Sequence, residues 1–270
     1  VSEDEPQFLE LGPPRSAPDA SARRIAYRMD GAAGATAESE APGLLWLSGF
    51  LSDMAGTKVA ALADWTASRG LPFARFDFSA HGLSSGDVAQ GSIGDWLEEA
   101  IAILERMDCR RVIVIGSSMG GWIALLLARH LVGEGKGDLL AGLVLIAPAH
   151  DMTETLMWEK LSPPSRQKLL DEGVYYAPSD YDAPYPISRF LIEEGRNHLL
   201  GGGKLDPGCP VRILQGMEDP DVPWRHAFAL MGLLANDDVE IDLIKDGDHR
   251  LSRPKDLRRL ERTLQGLVES

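Results

Sequence analysis

A strand that runs into Gly116-Ser117-Ser118-Met119-Gly120 and out into a helix constrains this chain more than any other stretch. The residues before it, Arg111-Val112-Ile113-Val114-Ile115, form an apolar β-branched run suited to a buried parallel strand. Those after it, from Gly121-Trp122-Ile123-Ala124 to Arg129-His130, read as a helix. A Gly-x-Ser-x-Gly between strand and helix predicts a sharp, strained turn, with the glycines at 116 and 120 leaving room for it. Ser118 is then expected to raise its hydroxyl above the sheet, with neighbouring amides at a helix N-terminus.

The rest of the chain reads as alternating strand and helix. Strands are expected at Phe8–Leu11 and Arg24–Met29, adjacent and without a helix between them, which suggests an antiparallel start. From Leu44 the rhythm becomes Leu44–Leu47, a helix over about 57–68, Phe73–Phe76, a helix over about 93–106, the elbow strand and its helix, and Leu143–Ile146. Pro210–Leu214 and Val239–Ile244 read as further strands, and Pro254 as the start of a last helix with apolar Leu257, Leu260, Leu264 and Val268. This alternation implies an α/β class with a mostly parallel, doubly wound sheet of about eight strands and helices on both faces.

Residues 151–206 break the rhythm. Four of the five tyrosines fall there (Tyr175, Tyr176, Tyr181, Tyr185), with Met152, Met157, Trp158 and several prolines. The expected organisation is therefore a core of residues 1–150 and 207–270 and a lid over 151–206, placed at the carboxyl edge of the strands. A surface excursion packing its aromatics on itself is the competing account of that segment.

The net charge of −14 argues against a nucleic-acid partner and against stable association with an anionic membrane. No apolar run approaches the roughly 18 residues that a membrane span needs. Cys109 and Cys209 have no C-x-x-C spacing, so two free thiols are expected rather than a metal or redox site. The opening Val1-Ser2-Glu3-Asp4-Glu5 lacks an apolar signal region, and arginine outnumbers lysine as in GC-rich bacterial genomes. The expected compartment is cytoplasmic in a bacterium, or the mitochondrial matrix in a eukaryote.

A serine hydroxyl needs a base to take its proton and an acid to orient that base. The chain order Ser, acid, His fits this architecture. The acid is sought in Gly216-Met217-Glu218-Asp219-Pro220-Asp221-Val222-Pro223, after the strand ending at Leu214. Asp219 is the expected acid. Asp221 competes with it, or caps a helix beginning at Val222-Pro223, and Glu218 is a third choice. Of six histidines only His249 follows the last strand; His81, His130, His150, His198 and His226 are expected to be structural. Asp246 and Asp248 mark the turn around it. Oxyanion donors are expected from the main-chain N–H groups of Met119 and of Phe50, with Leu51 as runner-up for the second. Because that donor is main chain, the Phe50 side chain is expected to matter little. No cofactor and no metal are implied.

Together these residues resemble the α/β-hydrolase superfamily of serine hydrolases from Leu44 onward. Gly49 with Met54-Ala55-Gly56-Thr57-Lys58, Arg75-Phe76-Asp77-Phe78-Ser79, Gly121-Trp122, Val222-Pro223-Trp224 and Asp248-His249-Arg250 narrow it further. They are similar to the branch of animal mitochondrial acyl-protein (palmitoyl) thioesterases and acyl-glucuronide esterases and their bacterial relatives. The resemblance implies Ser118, Asp219 and His249 as a triad that cleaves carboxylic ester or thioester bonds through an acyl-enzyme, on a small-molecule or acylated-protein substrate. A C–C bond hydrolase or acyltransferase on the same triad, and a non-catalytic binding module, are the alternatives.

Overall fold

Short β-branched runs become buried strands here, and the amphipathic stretches between them become helices that cover both faces of the sheet. The computed structural model describes residues 5–31, 41–178, 184–201 and 203–270. Strands β1 (Gln7–Leu11), β2 (Arg23–Asp30) and β3 (Gly43–Leu47) come first, followed by α1 (Thr57–Ala67) and β4 (Phe73–Phe76). Next are α2 (Ile93–Leu104), β5 (Val112–Ser117), α3 (Met119–Gly133) and β6 (Leu140–Ile146). A π-helical turn over Thr153–Trp158 leads to α4 (Pro163–Glu172), β7 (Val174–Ala177), β8 (Tyr185–Ser188) and α5 (Arg189–Gly195). The chain ends with β9 (Val211–Gly216), α6 (Trp224–Leu233), β10 (Val239–Ile244) and α7 (Pro254–Val268).

Eight strands form one sheet in the order β1-β2-β4-β3-β5-β6-β9-β10. β2 pairs antiparallel with both β1 and β4, and the other pairs are parallel. The mostly parallel, doubly wound sheet with an antiparallel start is thus as expected. β3, β5 and β6 are buried along their whole length, because alternate residues enter two different cores. Leu44, Trp46, Ile113 and Ile115 meet Val59, Leu62 and Leu264 on one face. Leu45, Leu47, Val112 and Val114 meet Trp96, Trp122 and Ile123 on the other.

Boundaries differ from expectation at a few ends. β6 begins at Leu140 rather than 143. α2 stops at Leu104, since Arg106 and Met107 make tight i→i−3 bonds to Ile103 and Leu104 that close its last turn. Its start is fixed by Ser92, whose Oγ accepts from the Asp95 amide at 3.1 Å and donates to the Asp95 carboxylate at 2.9 Å.

Within 151–206, β7 and β8 pair as a separate two-stranded sheet. A small core of Leu169, Ile187 and Ile192 lies beneath it, with Trp158 and Tyr175 packed alongside. Tyr181 falls outside the described residues. The segment docks on the main body in part through Glu194 of α5, which accepts a hydrogen bond from the Gly94 amide in the first turn of α2 at 3.2 Å. Cys109 is half-buried and Cys209 buried, both free thiols. No helix among the described residues is long and apolar enough to cross a membrane.

One buried charge cluster supports the loop that follows β4. Arg23 bonds Glu99 at 2.7 Å and Glu98 at 2.8 Å, and the second oxygen of Glu99 accepts from the Ser79 amide at 2.8 Å. Burial pushes the Glu99 carboxyl up from 4.5 to about 7 even with Arg23 beside it. Arg23→Met should lower the unfolding free energy by about 3–5 kcal/mol near pH 8, read by urea denaturation, since it strands buried carboxylates. Without Arg23 the Glu99 carboxyl moves further up, so the folded state takes its proton more readily than the unfolded chain does. Its contribution is therefore intact below 4.5 and lost as pH rises through the folded value. The deficit should accordingly be smaller at about pH 5 than at about pH 8; an equal deficit at both contradicts the assignment.

Candidate active site

Ser118 stands between β5 and α3 at φ 55°, ψ −116°, a backbone that side chains adopt only under constraint. Two glycines make the turn possible. A Cβ on Gly116 would collide with the Gly120 carbonyl, and one on Gly120 with the Leu47 carbonyl at the end of β3. The Ser118 amide donates to Ile146 O at 2.8 Å, while its carbonyl accepts from Gly121 at 2.9 Å and Ala149 at 3.1 Å. Met119 is the first residue of α3, so its amide lies at the positive end of that helix. On the other side is the loop after β3, where a Cβ on Gly49 would sit 3.3 Å from the Ser118 Cβ. The backbone at Gly49 therefore passes close beside the serine, with no room between them for a larger side chain.

The structure brings the three expected residues together. His249 Nδ1 donates to Asp219 Oδ2 at 2.7 Å, and Ser118 Oγ lies 3.1 Å from His249 Nε2, placed to donate to it. A carboxylate at Nδ1 fixes the tautomer that leaves Nε2 free to accept. The Asp219 carboxylate is shielded from water and held by four donors. Asp221 and Val222 amides bond Oδ1 at 2.9 and 2.8 Å, and Gln215 Nε2 bonds Oδ2 at 3.3 Å beside the histidine. Asp221 supplies its amide to this arrangement. It does not cap α6: that helix begins at Trp224 with Pro223 at its N-cap position and no side-chain cap, which corrects the expectation for Val222-Pro223. Asp248 Oδ1 accepts from the Leu251 amide at 2.9 Å and Asp246 pairs with Arg253, so both belong to the turn, as expected.

Asp219, Asp221 and His249 have potential ligand atoms within 4.8 Å of one another. That closeness accompanies the hydrogen bond between Asp219 and His249, and a cation among these atoms competes with the proton on Nδ1.

Four other histidines have partners elsewhere. His81 is buried, with Nδ1 bonded to Ser79 O at 2.9 Å. His198 pairs with Glu194 at 2.6 Å. His150 and His226 stack with centroids 3.9 Å apart, and His226 Nε2 donates to the His150 carbonyl at 2.8 Å. Burial beside His226 pushes His150 down to about 3, so it stays neutral.

Sequence reasoning missed what holds the loop after β3. Asp77 accepts from the Met54 amide at 2.7 Å and from the Leu83 amide at 2.8 Å, joining this loop to the one after β4. Gly82, at φ +48°, leaves the space that the Asp77 carboxylate fills. A charged residue directly after an apolar strand was the available signal. The Phe50 side chain, expected to matter little, has contacts that the sequence did not show. Its ring is buried, 5.9 Å from His81, 6.0 Å from Trp96 and stacked 5.9 Å from Tyr185 of β8. The side chain anchors the very main chain that faces Ser118.

A family profile described as "Serine aminopeptidase, S33" matches residues 46–175. The chain is 31% identical over 234 residues to the mitochondrial palmitoyl-protein thioesterase ABHD10 of Mus musculus, covering 86% of this chain and 77% of that protein. To the Homo sapiens protein of that name it is 29% identical, covering 86% and 74%. Among solved structures, a putative hydrolase from Agrobacterium vitis S4 superposes with a TM-score of 0.90 at 41% identity, covering 98% of each chain. Mouse alpha/beta hydrolase domain-containing protein 10 superposes with a TM-score of 0.81 at 27% identity, again over 98% of each. With these relatives and this sheet, the chain belongs to the ABHD10 family of α/β hydrolases.

Proposed function

We propose that this protein is a serine hydrolase that cleaves carboxylic ester or thioester bonds through an acyl-enzyme. The observation that carries the reading is His249 bonded at once to Asp219 and to Ser118, at 2.7 and 3.1 Å. In the proposed cycle Ser118 attacks the carbonyl carbon while His249 Nε2 takes its proton. Asp219 stabilises the resulting imidazolium without itself being protonated. The Met119 and Phe50 amides hold the oxyanion of the tetrahedral intermediate. Its collapse expels the alcohol or thiol, which takes the proton from His249, and a water activated by the same imidazole then releases the acid. The relatives named as palmitoyl-protein thioesterases make a long-chain acyl thioester the first substrate to test. The 151–206 segment is proposed as the lid over that acyl group, with Tyr185 against Phe50 as its contact with the chemistry.

A fluorophosphonate probe should label the wild-type protein and fail on Ser118→Ala; equal labelling of both removes the nucleophile from the scheme. Asp219→Asn should lower kcat by about 10⁴-fold with the fold intact by circular dichroism, whereas Asp221→Asn should stay within about tenfold of wild type. The reverse ranking would make Asp221 the acid. Phe50→Ala should lower kcat by roughly 10- to 100-fold, as expected when a main-chain donor drifts by about 1 Å. A wild-type kcat in that variant would show that the ring does not hold the donor.

A further inference from the structure

Lys58 is the second residue of α1, and its Nζ donates to the main-chain carbonyl of Arg250, the residue after His249. Its position is unfavourable for a cation in two ways. The first turn of a helix is its positive end. Loss of water also pushes the ammonium down to about 8; the Arg250 guanidinium adds to that push, and the Asp248 and Asp256 carboxylates oppose it.

Bonds within the loop that carries His249, and to its neighbours, fasten it on one side. Gly247 bonds back to Ile244 of β10 at 3.0 Å, and Gly247 O accepts from Glu218 in the loop of Asp219 at 2.9 Å. Leu251, strained at φ 44°, is tied to Asp248. These bonds set the histidine against the acid. They say nothing about its distance from the other side of the site, where Gly49 and Phe50 meet Ser118. Lys58 spans that gap, because α1 directly follows the loop after β3.

We propose that Lys58 is a positioning residue for the reaction, strapping the His249 loop to α1 and so fixing the base relative to the Gly49–Phe50 main chain opposite Ser118. This rests on the reading of His249 as the base.

The test compares Lys58→Met, Lys58→Arg and His249→Ala with wild type, using steady-state hydrolysis of a short-chain aryl ester, fluorophosphonate labelling rates and thermal unfolding. Lys58→Met should lower kcat and the labelling rate by about 10- to 100-fold, with KM within about twofold. Lys58→Arg should recover kcat to within about fivefold, since a guanidinium can also donate to the Arg250 carbonyl. A wild-type kcat in Lys58→Met overturns the strap, as does an equal loss in the Met and Arg variants accompanied by a fall in melting temperature. His249→Ala separates the two levels: if it keeps wild-type turnover, the base assignment fails and the strap with it. If it abolishes turnover while Lys58→Met is unaffected, the base stands and only the strap is lost.

Discussion

The strained backbone of Ser118 is the constraint on which the rest of the site depends. A residue in such a region costs about 1–3 kcal/mol and persists only where its surroundings over-determine it. Here the restraint comes from both sides of the sheet's centre. The Ser118 amide is bound to the end of β6, and its carbonyl takes two amides, one from α3 and one from the segment after β6. The first turn of α3 presses so closely on the end of β3 that only glycine fits at 120. The chain leaving β3 at Ser48-Gly49 passes beside the serine as well, with Gly49 close to its Cβ.

Asp219 and His249 reach this point by a different route. β9 and β10 are parallel neighbours whose last paired residues are Gly216 and Ile244, so the loops beyond them emerge together. Gly216 lies so close to the Gly247 main chain that any side chain there would collide with it. The two loops therefore pack backbone to backbone, which lets His249 contact Asp219 directly and still reach back past the end of β6 to Ser118. Three strand ends, with one strand between the first and the other two, converge through glycines at the contacts where a side chain would have kept them apart.

This explains what the sequence disclosed and what it withheld. Ser118, Asp219 and His249 were legible because each follows a recognisable strand and a nearby glycine, and the order of the three along the chain fits the topology. Asp219 was preferred to Asp221 from its place in the turn, but the contact of its Oδ2 with His249 Nδ1 could not be read from spacing. The burial of the Phe50 ring was not visible because its partners, His81, Trp96 and Tyr185, lie in three separate segments brought together only by folding. Glu99 lies in a helix whose sequence displays charge as any solvated face does, and nothing local marks it as buried against Arg23 and the Ser79 amide. Long-range polar pairing has no periodicity, so it leaves little trace in one sequence.

Those hidden pairings share a purpose that the individual bonds do not show. The chain after β3 is held by Asp77 through Met54, by the Phe50 ring through His81 and Trp96, and at its far end by the helix that carries Lys58. His81 in turn sits in the loop that the Arg23–Glu99 pair supports through Ser79. The fourth hold, Tyr185 on Phe50, belongs to the segment proposed to cover the acyl group. A substrate that shifts β8 therefore bears on the residue whose amide is proposed to stabilise the oxyanion. On that proposal substrate preference is expressed in turnover as well as in affinity, because one ring contact joins the segment proposed as the lid to the residue proposed to hold the oxyanion.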